Sequence, residues 1–181
     1  MTDPQDEHKV IQDVLEGRVD AFRTLVVRYQ RAVYFFVLKM LRKTEEADDV
    51  TQRTFIKAFE NLKQFRGEAS FKTWIIRIAL NLTLTELKKN KRIYVEFNEQ
   101  KTATFSSFEN KENEERKTWL LKALDKLPST QKAVVTLRIC EEKSFKEIAD
   151  IMDSKEGTVK VNFHYAMKQL KEWSHRRKES L

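Results

Sequence analysis

The sequence predicts an all-α protein: two small helical domains joined by an acidic linker, the C-terminal one with a helix-turn-helix. Three observations carry that expectation. Its 181 residues include only three glycines and two prolines, while Leu, Lys, Glu, Ala and Arg abound, so helix formers far outnumber breakers. Apolar residues recur at steps of three and four through most of the chain, the period of a helix with one buried face. That period fades over residues 93–115, where Lys101 and Lys111 stand against Glu96, Glu99, Glu109, Glu112, Glu114 and Glu115, a net charge of −4, as in a solvated tether. The expected division is a first domain over 1–92, a linker over 93–115 and a second domain over 116–181.

In chain order, Val10, Ile11, Val14 and Leu15 make a short helical stripe closing at Gly17. Asp20 is the expected N-cap of a long helix carrying Phe22, Leu25, Val26, Tyr29, Val33, Phe36 and Met40. The run TEEADD places acids ahead of a helix from Val50 to Phe65, where they favour its N-terminal dipole; Phe55, Phe59 and Leu62 form its core stripe. FRGEAS is a turn around Gly67, and Ser70 can cap the helix that follows. Beyond the linker, Trp119, Leu120, Ala123, Leu124 and Leu127 restore the period, and Pro128 and Ser129 punctuate the next start. Ser144 to Glu147, SFKE, is a capping box opening a short helix with Ile148, Ala149, Ile151 and Met152. DSKEG turns, and Thr158 is the expected cap of a longer helix with Val159, Phe163, Ala166, Leu170 and Trp173. Two helices across a tight turn, with small Ala149 allowing close approach, make a helix-turn-helix.

Composition narrows the function. A net charge of +7 and a pI of about 9.4 suit an anionic partner. Cys140 is the only cysteine, which excludes an internal disulfide and a cysteine metal site; it is expected to be a buried small hydrophobe. His8, His164 and His175 are scattered, so no metal site and no cofactor is expected. The start MTDPQDEHKV is polar, unlike a signal peptide, and no apolar run approaches membrane-spanning length. The expectation is a cytosolic chain with no direct membrane insertion.

Two surfaces stand out. Around RIALNLTLTELKKNKR, residues 77–92, Ile75, Ile76, Ile78, Ala79, Leu80, Leu82, Leu84 and Leu87 cover an unusually wide apolar arc. The remaining stripe is Trp74, Arg77, Asn81, Thr85, Lys88 and Arg92. It offers an aromatic face for stacking, cations for phosphate and an amide able to both donate and accept at a base edge. The plainer alternative makes Trp74 a core residue and the cations a solvated face. In the second domain, Lys160, His164, Lys168 and Lys171 line the outer side of the longer helix, the layout of a recognition helix in a major groove. A duplex-binding regulator would explain this second surface but not the first. A helical recombinase would need a nucleophile with acid clusters, and the sequence offers no such constellation.

Over approximately residues 8–173 the chain resembles a bacterial sigma factor of the extracytoplasmic-function class. The resemblance rests on DAFRTLVVRYQRAVYFFVLKML and EEADDVTQRTFIKAFENLKQFRGEASFKTWIIRIALN in the first domain, and on LDKLPSTQKAVVTLRICEEKSFKEIADIMDSKEGTVKV in the second. It implies a promoter-recognition subunit that binds core RNA polymerase and helps to open DNA, while the polymerase, not this chain, performs nucleotidyl transfer. It further implies an anti-sigma factor as a partner. Asp49 and Gln52 match the family's polymerase-docking helix, Asp48 stands where Glu is frequent, and Arg53 stands where an acid is usual. The Trp74–Arg92 stripe corresponds to the element that reads and melts the -10 region, with Asn81 beside a flipped base and FRGEASFKT as the specificity loop. In the -35 recognition helix, Thr158, Lys160, His164 and Lys168 keep the family's pattern. Val161, Asn162 and Tyr165 depart from it; Asn162 suits a contact to adenine and Val161 one to a thymine methyl. The acidic linker would thread polymerase channels built for nucleic acid.

Overall fold

A computed structural model describes residues 4–94 and 111–178, with side chains described from 7–90 and 119–176. Every regular element among the described residues is helical. The chain divides into two compact units, Met1–Ile93 and Tyr94–Leu181.

In the first unit, α1 (Pro4–Leu15) buries Ile11 and Val14. A turn follows through Gly17, whose φ of +101° lies in the left-handed region that glycine adopts without a Cβ penalty. A 3-10 turn at Val19–Ala21 leads straight into α2 (Phe22–Leu41). Because Ala21 is already helical, Asp20 lies inside the turn and its side chain makes no capping bond, which corrects the expected N-cap. Leu25, Val33, Phe36 and Met40 are fully buried along α2.

The next helix, α3, runs Thr44–Glu60, six residues earlier at its start than the sequence suggests. Glu45 and Glu46 therefore sit inside the first turn, not ahead of it, where the helix dipole favours them equally. Buried Ala47 and Val50 anchor that turn. Phe55 and Leu62 are core, but Phe59 is 41% exposed near the helix end, its ring edge-on to Phe22 at 5.2 Å. A 3-10 turn at Leu62–Gln64 and the loop around Gly67 lead to α4 (Phe71–Tyr94). The Ser70 hydroxyl accepts from the Thr73 amide at 3.2 Å, as a cap should.

The second unit begins with α5 (Lys111–Lys126). Thus Ile93 and Tyr94 at the end of α4 and Lys111 to Glu115 at the start of α5, all expected to be linker, are helical; the linker's residues 95–110 lie outside the described residues. Ala123 of α5 and Leu127 just past its end meet Val135 of α6 (Ser129–Val135) and Ala166 and Leu170 of α8 (Glu156–Lys178) in a core flanked by Trp119, Leu124, Phe163 and Trp173. Buried Lys132 pairs with Asp125 at 2.6 Å. The α6 helix passes into a π turn at Thr136–Cys140, closed by the Glu141 amide on the Thr136 carbonyl. The wider turn shifts the register, so Leu137 stays buried while Ile139 and Cys140 point to solvent. Cys140 is therefore not the buried residue its type suggests.

The capping box at the start of α7 (Phe145–Met152) forms in full: the Ser144 hydroxyl accepts from the Glu147 amide, and the Glu147 carboxylate accepts from the Ser144 amide. Lys143 adds a 2.7 Å bond to Glu147. The Lys143 bond, then the Ser144 amide, pull the Glu147 carboxyl down to about 2. After a left-handed residue, Asp153, α8 starts at Glu156, so Thr158 lies in its first turn and not at its cap. Ser144→Ala should destabilise the C-terminal unit by about 1 kcal/mol, read by urea denaturation followed by circular dichroism. Since Glu147 is held below its ordinary value, its contribution is present at neutral pH and fades as pH falls from about 4.5 towards 2. Glu147→Gln should flatten the wild-type stability slope in that acid window, and an unchanged slope would show that the carboxylate adds nothing.

Candidate nucleic-acid interface

Most of the apolar arc of α4 goes inward: Phe71, Ile75, Ile76, Ala79, Leu80 and Leu82 are buried, while Ile78, Leu84 and Leu87 are half-buried. Even buried Thr83 is satisfied, its hydroxyl donating to the Ala79 carbonyl at 2.7 Å. This leaves the predicted stripe on the surface. Trp74 and Arg77 are half-buried, Asn81, Thr85 and Lys88 are exposed, and Arg92 lies outside the described side chains. Trp74 combines the two roles that the sequence left as alternatives. One side packs against Phe65 and Phe71, with centroids at 5.4 and 5.5 Å, and another lines an open cleft of about 270 Å³.

That cleft gathers Trp74, Arg77, Asn81 and Thr85 from the stripe, over a floor of Ile78 and Leu82. Its facing wall is Lys57, Asn61 and Gln64, from the end of α3 and the following turn, which sequence reasoning missed. Only the polar spacing of Asn61 and Gln64 hints at them. The Asn61 amide donates to the Lys57 carbonyl at 2.8 Å, and the Gln64 amide donates to the Asn61 side-chain oxygen at 3.0 Å. Thr85 donates to the Asn81 backbone carbonyl, whereas the Asn81 side chain has no hydrogen-bond partner among the described residues. An unoccupied amide, a half-exposed indole and cations around a cleft are what an unstacked base requires.

On α3, Asp48, Asp49 and Gln52 are exposed, and Arg53 is half-buried. The face is not purely acidic: Arg53 bonds Asp49 at 3.0 Å and reaches Glu86 of α4 at 3.4 Å. The Asp49 bond, and the smaller effect of Glu86, raise the Arg53 guanidinium above its ordinary value. Asn90 of α4 also donates to Glu46 at 2.8 Å.

On α8, Thr158, Lys160, Val161, His164, Tyr165, Lys168 and Lys171 are exposed and Asn162 is half-buried. Their inward counterparts, Val159, Ala166 and Leu170, are buried. Phe163 meets Phe145 of α7 at 5.4 Å, which seats the longer helix on the shorter one. Lys160 pairs with Glu156 at 2.7 Å, and the Asn162 amide donates to the Thr158 carbonyl at 3.0 Å.

Sequence profiles of two families match the chain in the same order as its units: Sigma-70 region 2 over residues 25–93 and Sigma-70, region 4 over residues 117–170. The chain is 32% identical over 173 residues to the ECF RNA polymerase sigma-E factor of Escherichia coli, covering 88% of this chain and 90% of that one. It belongs to the ECF class of RNA polymerase sigma factors. The ECF RNA polymerase sigma factor SigW of Bacillus subtilis is 29% identical over 175 residues, covering 90% and 94%. Among solved structures, the fold is similar to the sigma factor RpoE in complex with the anti-sigma factor NepR from Bartonella quintana (TM-score 0.68, 22% identity, covering 83% of this chain and 94% of that one). It is also similar to CnrH in complex with the cytosolic domain of CnrY (TM-score 0.68, 20% identity, covering 94% and 98%). As an ECF sigma factor, the protein directs RNA polymerase to promoters to initiate transcription.

In this sigma factor, Trp74→Ala should destabilise the N-terminal unit by roughly 2–4 kcal/mol, less than for a fully buried indole. Trp74→Phe should cost under about 1.5 kcal/mol because an aromatic packing partner remains. Far-UV circular dichroism during urea denaturation measures both; equal stability of wild type and Trp74→Ala would remove the packing role.

Proposed function

We propose that residues 1–92 dock on core polymerase and melt the -10 region, that 93–115 serve as a tether, and that 116–181 read the -35 duplex. The observation carrying this assignment is the α4 cleft, where an unpartnered Asn81 amide sits with Trp74 and Arg77 around space for a base. Melting needs a surface that offsets lost stacking, and an indole, an amide and cations supply it. Thr85, Lys88 and Arg92 extend the stripe along the strand.

Asp48, Asp49 and Gln52 contact the polymerase, with Arg53 holding Asp49 in place until that surface meets a basic partner. Thr158, Lys160, Val161, Asn162, His164, Tyr165 and Lys168 face the -35 major groove. The protein contributes no catalytic group; nucleotidyl transfer belongs to the polymerase it recruits. No helix among the described residues is long and apolar enough to cross a membrane; the proposed site of action, on polymerase and promoter DNA, is the cytoplasm, without membrane insertion. Two proteins of similar fold were solved with an anti-sigma factor or a cytosolic partner domain, which supports an anti-sigma factor as a further partner here.

Asn81→Ala should reduce open-complex stability by roughly 5- to 150-fold, the effect of losing a base-edge contact of about 1–3 kcal/mol, while core affinity and -35 binding stay near normal. Permanganate footprinting of thymines reads this on duplex and pre-melted templates. A deficit that shrinks on the pre-melted template assigns Asn81 to opening; one that persists assigns it to holding the base. Wild-type opening on both would reduce the stripe to a solvated helix face. Independently, Asp49→Ala or Gln52→Ala should weaken core binding without loss of helicity, and unchanged affinity in both would remove the docking assignment.

A further inference from the structure

The outer face of α8 carries an apolar pair where a DNA-facing helix would be expected to be polar. Val161 and Tyr165 are each 53% exposed. They lie four residues apart, so their side chains are neighbours. At about 100° per residue they project from the side of α8 opposite buried Val159, Ala166 and Leu170. Lys160, His164, Lys168 and Lys171 lie along one flank of them, all exposed, and exposed Glu172 lies further along the same face. The lysines on that flank favour a polyanion over an apolar protein groove as the pair's occupant.

Two of the polar groups flanking the pair have partners within the helix. Lys160 holds Glu156 at 2.7 Å, and the Asn162 amide holds the Thr158 carbonyl at 3.0 Å. A bidentate contact from Asn162 to adenine would have to use the remaining N–H of the same nitrogen together with the side-chain oxygen, within the orientation that this helix bond sets. Val161 and Tyr165 carry no such constraint. The apolar feature that a base pair presents in the major groove is the thymine 5-methyl group.

We infer that Val161 and Tyr165 read thymine 5-methyl groups in the -35 duplex, making methyl contact, and not a hydrogen-bonded base edge, the main source of specificity on this helix. This rests on the assignment of α8 to the -35 duplex. The Tyr165 ring makes the contact, with its hydroxyl left for a neighbouring phosphate or water.

The test uses holoenzyme reconstituted from the full chain and core polymerase. A duplex obtained by binding-site selection is synthesised with each -35 thymine replaced in turn by deoxyuridine, which removes the methyl group and keeps the pairing edge. At one or two adjacent positions, deoxyuridine should weaken binding roughly three- to fivefold, the effect of exposing one methyl-sized group. Val161→Ser and Tyr165→Ser should abolish the difference between thymine and deoxyuridine at those positions, and Tyr165→Phe should keep it. Both positions are exposed, and the thymine-for-uridine comparison in wild type needs no variant to fold. Preference for the selected site with indifference to deoxyuridine throughout would overturn methyl reading and leave the -35 assignment standing. Failure to prefer the selected -35 duplex over a scrambled one would overturn that assignment itself. Lost core affinity in both serine variants, with discrimination against deoxyuridine intact, would overturn the inference in favour of a polymerase-docking patch.

Discussion

The wide apolar arc of α4 constrains the N-terminal unit more than any other feature. Ile75, Ile76, Ala79, Leu80 and Leu82 are all buried, which leaves the helix one rotation about its axis. Turning it by a single residue, about 100°, would bring several of these side chains into water at roughly 1.5–3 kcal/mol each for the larger ones. The direction of the stripe is therefore set by the core, not by its own polar residues. Asn81 and Thr85 are held outward, and Trp74 and Arg77 are held at the rim facing Lys57, Asn61 and Gln64. A cleft for a base needs walls that do not wander, and hydrophobic burial on the far side of α4 provides that rigidity.

Packing also explains how the proposed docking and melting surfaces can share one small unit. Arg53–Glu86 and Asn90–Glu46 link α3 to α4, but Arg53 is 42% exposed, and such ion pairs contribute at most about 1 kcal/mol. A polymerase surface that captures Asp49 can displace Arg53 at little cost. Ring contacts give firmer support. Phe71 meets Tyr29 of α2 at 5.6 Å and Phe65 at 5.7 Å, so the start of α4 is held by the same cluster that backs Trp74. Further from the cleft, Tyr29 hydrogen-bonds Glu7 of α1. Burial, then that bond, push the Tyr29 hydroxyl up to about 12, so this link between α1 and α2 keeps its proton across the physiological range.

The helices and the existence of the stripe were legible because both depend on period, which a sequence displays directly. The Ser144–Glu147 box was legible because its partners lie three residues apart and need nothing distant. Helix starts at Thr44 and Glu156 were not, since acids stabilise a first turn as well from within it as from before it. The π turn that exposes Cys140 leaves no mark on composition. The facing wall of the cleft was hidden for a different reason: Lys57, Asn61 and Gln64 meet the stripe only in tertiary structure, through a turn whose path residue spacing does not encode. The double role of Trp74 was likewise beyond periodicity, which assigns a side chain to one face and cannot divide it between two.

On α8 the chemistry of attraction and that of discrimination fall to different residues. In the proposed -35 complex, phosphates are drawn by Lys160, Lys168 and Lys171 as a field along one flank of the helix, and such attraction weakens with salt and carries no sequence information. The Lys160–Glu156 pair lowers the local field at the helix start, but both side chains are about half exposed, so a phosphate can replace the carboxylate with little loss. Discrimination depends instead on groups positioned before contact. Asn162 is bonded to its own helix, whereas Val161 has a single flexible torsion and Tyr165 only two, so the apolar pair loses little conformational entropy on docking. On this proposal, such a helix gathers DNA through its basic flank and selects among sequences through the neighbouring apolar pair, where an exposed apolar surface gains from a methyl group and gains nothing from bare polar base edges.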